Sequence, residues 1–345
     1  MPVSMRPPAA ALAAALCAAL AILAAPGPAP GQTGAPGTAP GSGPDAPVTA
    51  RARAEIGPLV DALGMNGLLP VMREEGLASA RELASEMFPG RGGPRWEDLV
   101  DRIYGIERMR ATMTDEMARR LEPEEIDALL QFFGSELGRR IVRLEVSARE
   151  ALLDASVEDA SEAALAEMRR ADDPRLEVLR AFVEANDLVE MNVAGALNSN
   201  WAFYQGMAAG GAFGDALSEQ QMLADVRGQA DAIRAETEEW VYSYLAMAYR
   251  PLSDDEIAAY TALSQTPEGQ ALNTALFAAY DVLFVTISRD LGLAAAQFLA
   301  GEDICPASRR GPCRSGGAAA MRPGPRRRGI GRRDAAGCGR PGRLA

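Results

Sequence analysis

The sequence predicts an all-α fold, a helical bundle made of two related helical repeats, preceded by a signal peptide and flexible linker and followed by a disordered basic tail. Three observations predict it. The 345 residues are 48% hydrophobic but only 6% aromatic. They are rich in Ala, Leu, Met, Glu and Arg, several of which lose little rotamer freedom in a helix. Apolar residues recur at helical spacing along the central section. One stretch of that section also reads onto another at a constant offset of 131 residues.

Residues 1–31 read as a secretory signal peptide. Arg6 supplies the positive start, and Ala9 to Ala25 is an unbroken apolar run with small residues beyond it. That run is short for a membrane span, which needs about 20 residues. The expected compartment is therefore the periplasm or the exterior of a bacterium, with membrane attachment only if the leader stays uncleaved. Residues 32–49 are Pro, Gly, Ala and Thr with nothing to bury, and read as a disordered linker.

Two helical repeats follow, over residues 50–172 and 173–302. Residues 121–141 (LEPEEIDALLQFFGSELGRRI) pair without a gap with residues 252–272 (LSDDEIAAYTALSQTPEGQAL). Leu121 falls on Leu252, Glu125 on Glu256, Ile126 on Ile257 and Gly138 on Gly269. Ser253 and Glu256 have the spacing of a capping box. Pro123 suits a first helical turn, where a missing N–H costs nothing. Each segment then predicts a break and a second helix, capped by Ser135 or Thr266. A glycine in a first turn costs about 1 kcal/mol against Ala, so Gly138 and Gly269 imply a backbone close by. Upstream, Met65-Asn66 and Met191-Asn192 give a weaker echo that needs a gap.

The doubled segment resembles the bacterial family known as domain of unknown function 2059. The resemblance rests on Glu124-Glu125-Ile126, Phe132-Phe133, Ser135 and Gly138, and more loosely on Asp255-Glu256-Ile257, Thr266-Pro267 and Gly269. It implies a helical, mostly exported protein with no assigned activity, and it brings no catalytic residues.

Elsewhere, residues 95–118 place Leu99, Ile103, Ile106, Met109 and Met113 at helical spacing, and residues 174–197 continue in that style. Residues 193–214 are Gly- and Asn-rich and carry no charge. Asn198, Asn200, Trp201, Phe203 and Tyr204 there are candidates for a ligand or partner surface, against the alternative of a tightly packed helix buried between the repeats. Met87, Met109, Met113 and Met117 suggest either an adaptable groove or ordinary core. The adjacent acids Glu124/Glu125 and Asp254/Asp255 read as first-turn acids favoured by the helix dipole, since neighbours on a helix do not face each other. Residues 303–345 are Arg, Gly, Pro and Ala and read as a disordered tail.

Composition narrows the chemistry. With no His, Ser-His-Asp and Cys-His catalysis, His-containing zinc sites and axial-His haem are excluded. Residues 32–302 hold 23 Arg and 45 acids, a charge near −22, which argues against nucleic acid and anionic lipid as partners. The same section has no Cys, so the fold uses no disulfide. No catalytic, cofactor-binding or metal-binding residues are assigned. The expected function is non-enzymatic, a periplasmic structural or interaction protein. The alternative is a carrier or chaperone-like binder of apolar ligands or chains, and a carboxylate-based hydrolase ranks last.

Overall fold

The computed structural model describes residues 48–301 apart from Asp215. The signal peptide, most of the linker and the basic tail lie outside the described residues. Those residues contain helices and no strand. The helices are α1 (Ala50–Ala62), α2 (Met65–Met87), α3 (Gly93–Ile103), α4 (Ile106–Ala118), α5 (Pro123–Phe133), α6 (Glu136–Ala151) and α7 (Ala155–Arg170). After them come α8 (Arg175–Ala185), α9 (Leu188–Ala209), α10 (Glu219–Gly228), α11 (Ala230–Ala248), α12 (Asp254–Ser264) and α13 (Pro267–Ala300).

Local chemistry sets the breaks. The Ser253 hydroxyl accepts from the Glu256 amide at 3.2 Å, and the Glu256 carboxylate accepts from the Ser253 amide at 2.8 Å. Glu122 caps α5 in the same reciprocal way with Glu125. Beyond α5, the Ser135 hydroxyl accepts from the Gly138 amide at 3.0 Å; beyond α12, the Thr266 hydroxyl accepts from the Gly269 amide at 3.0 Å. A methyl group on Gly138 would meet the Phe132 carbonyl oxygen at 2.2 Å, and one on Gly269 would meet the Leu263 oxygen at 2.0 Å. The backbone that these glycines admit is thus the last turn of the preceding helix, at matching positions in both segments.

Each of the two stretches read at helical spacing holds a turn. The helical segment 95–118 is not continuous, because the chain turns at Tyr104-Gly105 between α3 and α4. Likewise 174–197 is interrupted at Asn186-Asp187, where Asp187 takes the left-handed conformation (φ 44°) before α9. Gly64 (φ 76°) makes the same kind of corner between α1 and α2. These two corners, and not the Met-Asn dipeptides, are what correspond. Met65 opens α2, whereas Met191 lies a turn inside α9.

Several helix contacts of α1–α6 have counterparts among α8–α13. Helix α1 packs on α5 as α8 does on α12, α2 on α4 as α9 does on α11, and α2 on α6 as α9 does on α13. The crossings between halves are reciprocal: α6 packs on α11, and α13 packs on α4. One continuous core spans both halves, from Ile56 and Met109 to Leu276 and Ala295. Helix α13 is central to it and runs parallel to α9 at close range. A methyl group on Gly206 would lie 2.1 Å from the Arg289 oxygen, and one on Gly292 would lie 2.2 Å from the Phe203 oxygen. Its length and apolarity would allow α13 to cross a membrane, but it is mostly buried, as the core helix of a globular fold is.

Candidate functional site

The five residues singled out on α9 do not converge. Phe203 is buried in the main core, and the Asn200 amide donates to Gln229 at 2.9 Å. Asn198 is exposed and donates to Asp281 of α13 at 2.8 Å. Trp201 and Tyr204 do share an environment: with Leu197, Met222, Val226, Phe213 and Leu217 they form a small apolar cluster beneath α10 that adjoins the main core through Leu197 and Phe213. Met109, Met113 and Met117 are fully buried, so that face of α4 fills core and lines no groove. The paired acids occupy first turns, and the Glu125 and Glu256 carboxylates serve their own helix N-termini.

Shallow grooves on the described surface include two of about 250 Å³ each. One lies between α2 and α3, over Trp96, and the other between Leu99, Ile103 and Leu293. Both are smaller than the ~300–1,000 Å³ of common small-molecule sites. Among the described residues, no group of three or more Cys, Asp or Glu is placed to hold a metal ion.

The unusual chemistry is inside, on α6. Glu145 and Arg149 are one turn apart, and both face inward, 6% and 2% exposed. Arg149 pairs with Glu75 of α2 and lies over the Trp240 ring at 5.3 Å, while Trp240 stacks on Tyr244 at 5.0 Å. Among the described residues Glu145 has no cationic partner. It accepts a hydrogen bond from the Tyr249 hydroxyl at 2.6 Å, and its backbone oxygen accepts from the Tyr244 hydroxyl at 3.0 Å. The Tyr260 hydroxyl lies near enough to influence the carboxyl, yet it is buried without a hydrogen bond of good geometry.

The electrostatics follow from burial. Removal from water pushes the Glu145 carboxyl up to about 8, against the smaller opposing effects of Tyr249 and Tyr260. Desolvation also raises Glu75, despite Arg149 beside it. Tyr244, Tyr249 and Tyr260 are pushed well above the ordinary phenol range by burial first and by Glu145 second. Glu145 is thus a neutral acid near pH 7, able to donate one hydrogen bond and accept others. Neither surface groove is lined by Glu145 or Arg149.

Sequence reasoning missed this cluster. Its members come from α2, α6, α11 and α12, far apart in the chain. The available signal was Glu145 and Arg149 at i and i+4 on the face that also carries Ile141, where only apolar residues are expected.

Residues 107–167 match the model of the family described as an uncharacterized protein conserved in bacteria (DUF2059). The resemblance read from the sequence is thereby shown for α5, α6 and most of α4 and α7, which include the first capped corner and the Glu145–Arg149 turn. The match does not extend to residues 252–272. No curated protein and no solved structure matches the chain.

Proposed function

We propose that this chain is an exported, non-enzymatic interaction protein built from two related copies of one helical unit, α1–α6 and α8–α13. The enclosure of Glu145 is the observation that supports it best. The carboxyl that burial raises furthest, Glu145, is surrounded by phenols, away from these two grooves. A hydrolase would place such a group in a cleft beside a second carboxylate. The matching corners at Gly138 and Gly269 and the reciprocal crossings support the two copies. The apolar run before residue 26 supports export.

The deciding experiment is native purification from the periplasm of the bacterium that makes the protein, with N-terminal sequencing and mass spectrometry of what co-purifies. A mature N-terminus between residues 26 and 32, with a protein partner in fixed stoichiometry, is the expected result. An intact leader held in the inner membrane would refute export. A stoichiometric lipid or acyl chain would instead favour a carrier. That second reading has one observation behind it, the satellite cluster of Trp201, Tyr204 and Met222 beneath α10.

A further inference from the structure

Glu145 lies on the seam between the two halves. It projects from α6 of the first, and the phenols around it come from Tyr244 of α11, Tyr249 at the end of α11 and Tyr260 of α12, all in the second. We propose that Glu145 is a proton-dependent latch: as the neutral acid it joins α6 to Tyr249 and Tyr260, and loss of its proton loosens α6 from α11 and α12. This goes beyond the proposed function and does not depend on export.

Three features of the geometry support it. The carboxyl is buried and accepts from Tyr249, so that one oxygen already has a donor. The Tyr260 hydroxyl is buried beside the carboxyl without a hydrogen bond of good geometry, and a protonated carboxyl has an O–H that its oxygen can accept. An ionised carboxylate can still accept from both phenols, but no cation among the described residues offsets its buried charge. The charged and titratable groups facing the site are few. Arg149 is engaged by Glu75 of α2 and covered by Trp240 of α11. Glu158 of α7 adds negative charge near Glu75 and Arg149, and Tyr280 of α13 is a buried phenol close enough to feel both Glu145 and Arg149. Ionising Glu145 therefore puts an uncompensated charge on the seam, and solvating it requires the helices to part.

The test uses the full chain, with glutamate labelled at the carboxyl carbon and read by NMR. The Glu145 signal, assigned from its loss in Glu145→Gln, is expected to titrate near the alkaline value that burial gives it, about 8. Hydrogen exchange of the α6 and α11 amides, corrected for intrinsic rates, reads the opening. Its opening constant should rise about ten-fold per pH unit between roughly pH 5 and 8, then level off. Glu145→Gln should remove that slope. A midpoint in the ordinary carboxylate range, or the same slope in the variant, overturns the proposal. Should Glu145→Gln fail to fold, Tyr249→Phe decides: losing the donor should move the midpoint further upward, and an unmoved midpoint refutes the latch.

Discussion

Replacing Gly269 by Ala puts a methyl carbon 2.0 Å from the Leu263 carbonyl oxygen and 2.9 Å from its carbon. Both neighbours are backbone, so no side chain can swing aside, and the start of α13 must shift by about 1 Å to restore normal contact. Forced overpacking of this kind costs about 1–3 kcal/mol. The better helix propensity of Ala offsets about 1 kcal/mol of it. A net loss of up to about 2 kcal/mol is expected, which for a fold of this size lowers Tm by up to about 8 °C. Gly138→Ala should behave alike, because the Phe132 oxygen stands at 2.2 Å. Ser135→Ala and Thr266→Ala, which delete the cap acceptors, should each cost about 1 kcal/mol. Gly228 is the control: a methyl there meets nothing within 4 Å, and Ala should be neutral or slightly stabilising. Scanning calorimetry and urea unfolding of the single variants would measure this. A Gly269→Ala protein more stable than the parent would refute the steric account. A loss at Gly269 without one at Gly138 would break the correspondence between the corners.

Other predictions rest on the buried contacts. Arg149→Ala leaves Glu75 without its partner and Trp240 without its cation, and should cost about 3–5 kcal/mol in urea unfolding. Gly206→Ala and Gly292→Ala should each cost about 1–3 kcal/mol, with the double variant departing from additivity because both act on one contact between α9 and α13. The Glu145 carboxyl is raised on folding, so the stability it contributes is complete below its unfolded value and is lost as pH rises towards 8. Unfolding curves across that range should show the parent losing on the order of 5 kcal/mol relative to Glu145→Gln. Parallel curves for the two proteins would contradict the buried neutral acid.

The elements were legible in the sequence wherever the signal is local. The proline and acidic first turns of α5 and α12, the Ser135 and Thr266 caps and the apolar stripe of Ile126, Leu129 and Phe133 are short-range chemistry, and the structure places them as read. Asp187 illustrates the limit. A non-glycine residue in the left-handed region gives little compositional warning, so the corner before α9 was hidden inside a helical pattern. Residues 193–214 left two readings open, a ligand or partner surface and a tightly packed helix. Gly206 sits mid-helix with the α13 backbone within contact, as the packed-helix reading has it. The Glu145 cluster was illegible for a topological reason: Glu75, Glu145, Arg149, Tyr249 and Tyr260 meet only once α6 has crossed to α11. A carboxylate on a helix is ordinarily solvated, and only the tertiary fold removes the water.

The reciprocal crossings also constrain how the molecule can come into being. Helix α4 leaves the first half with an apolar face that α13 covers, and α13 is separated from it by well over a hundred residues. A growing polypeptide therefore cannot settle its early part and then add the rest. The early part waits, partly open, for the last helix to arrive, and such long-range closure is slow compared with local helix formation. Removing the end of α13 should consequently disable both halves together, and neither half should survive as an independent fragment.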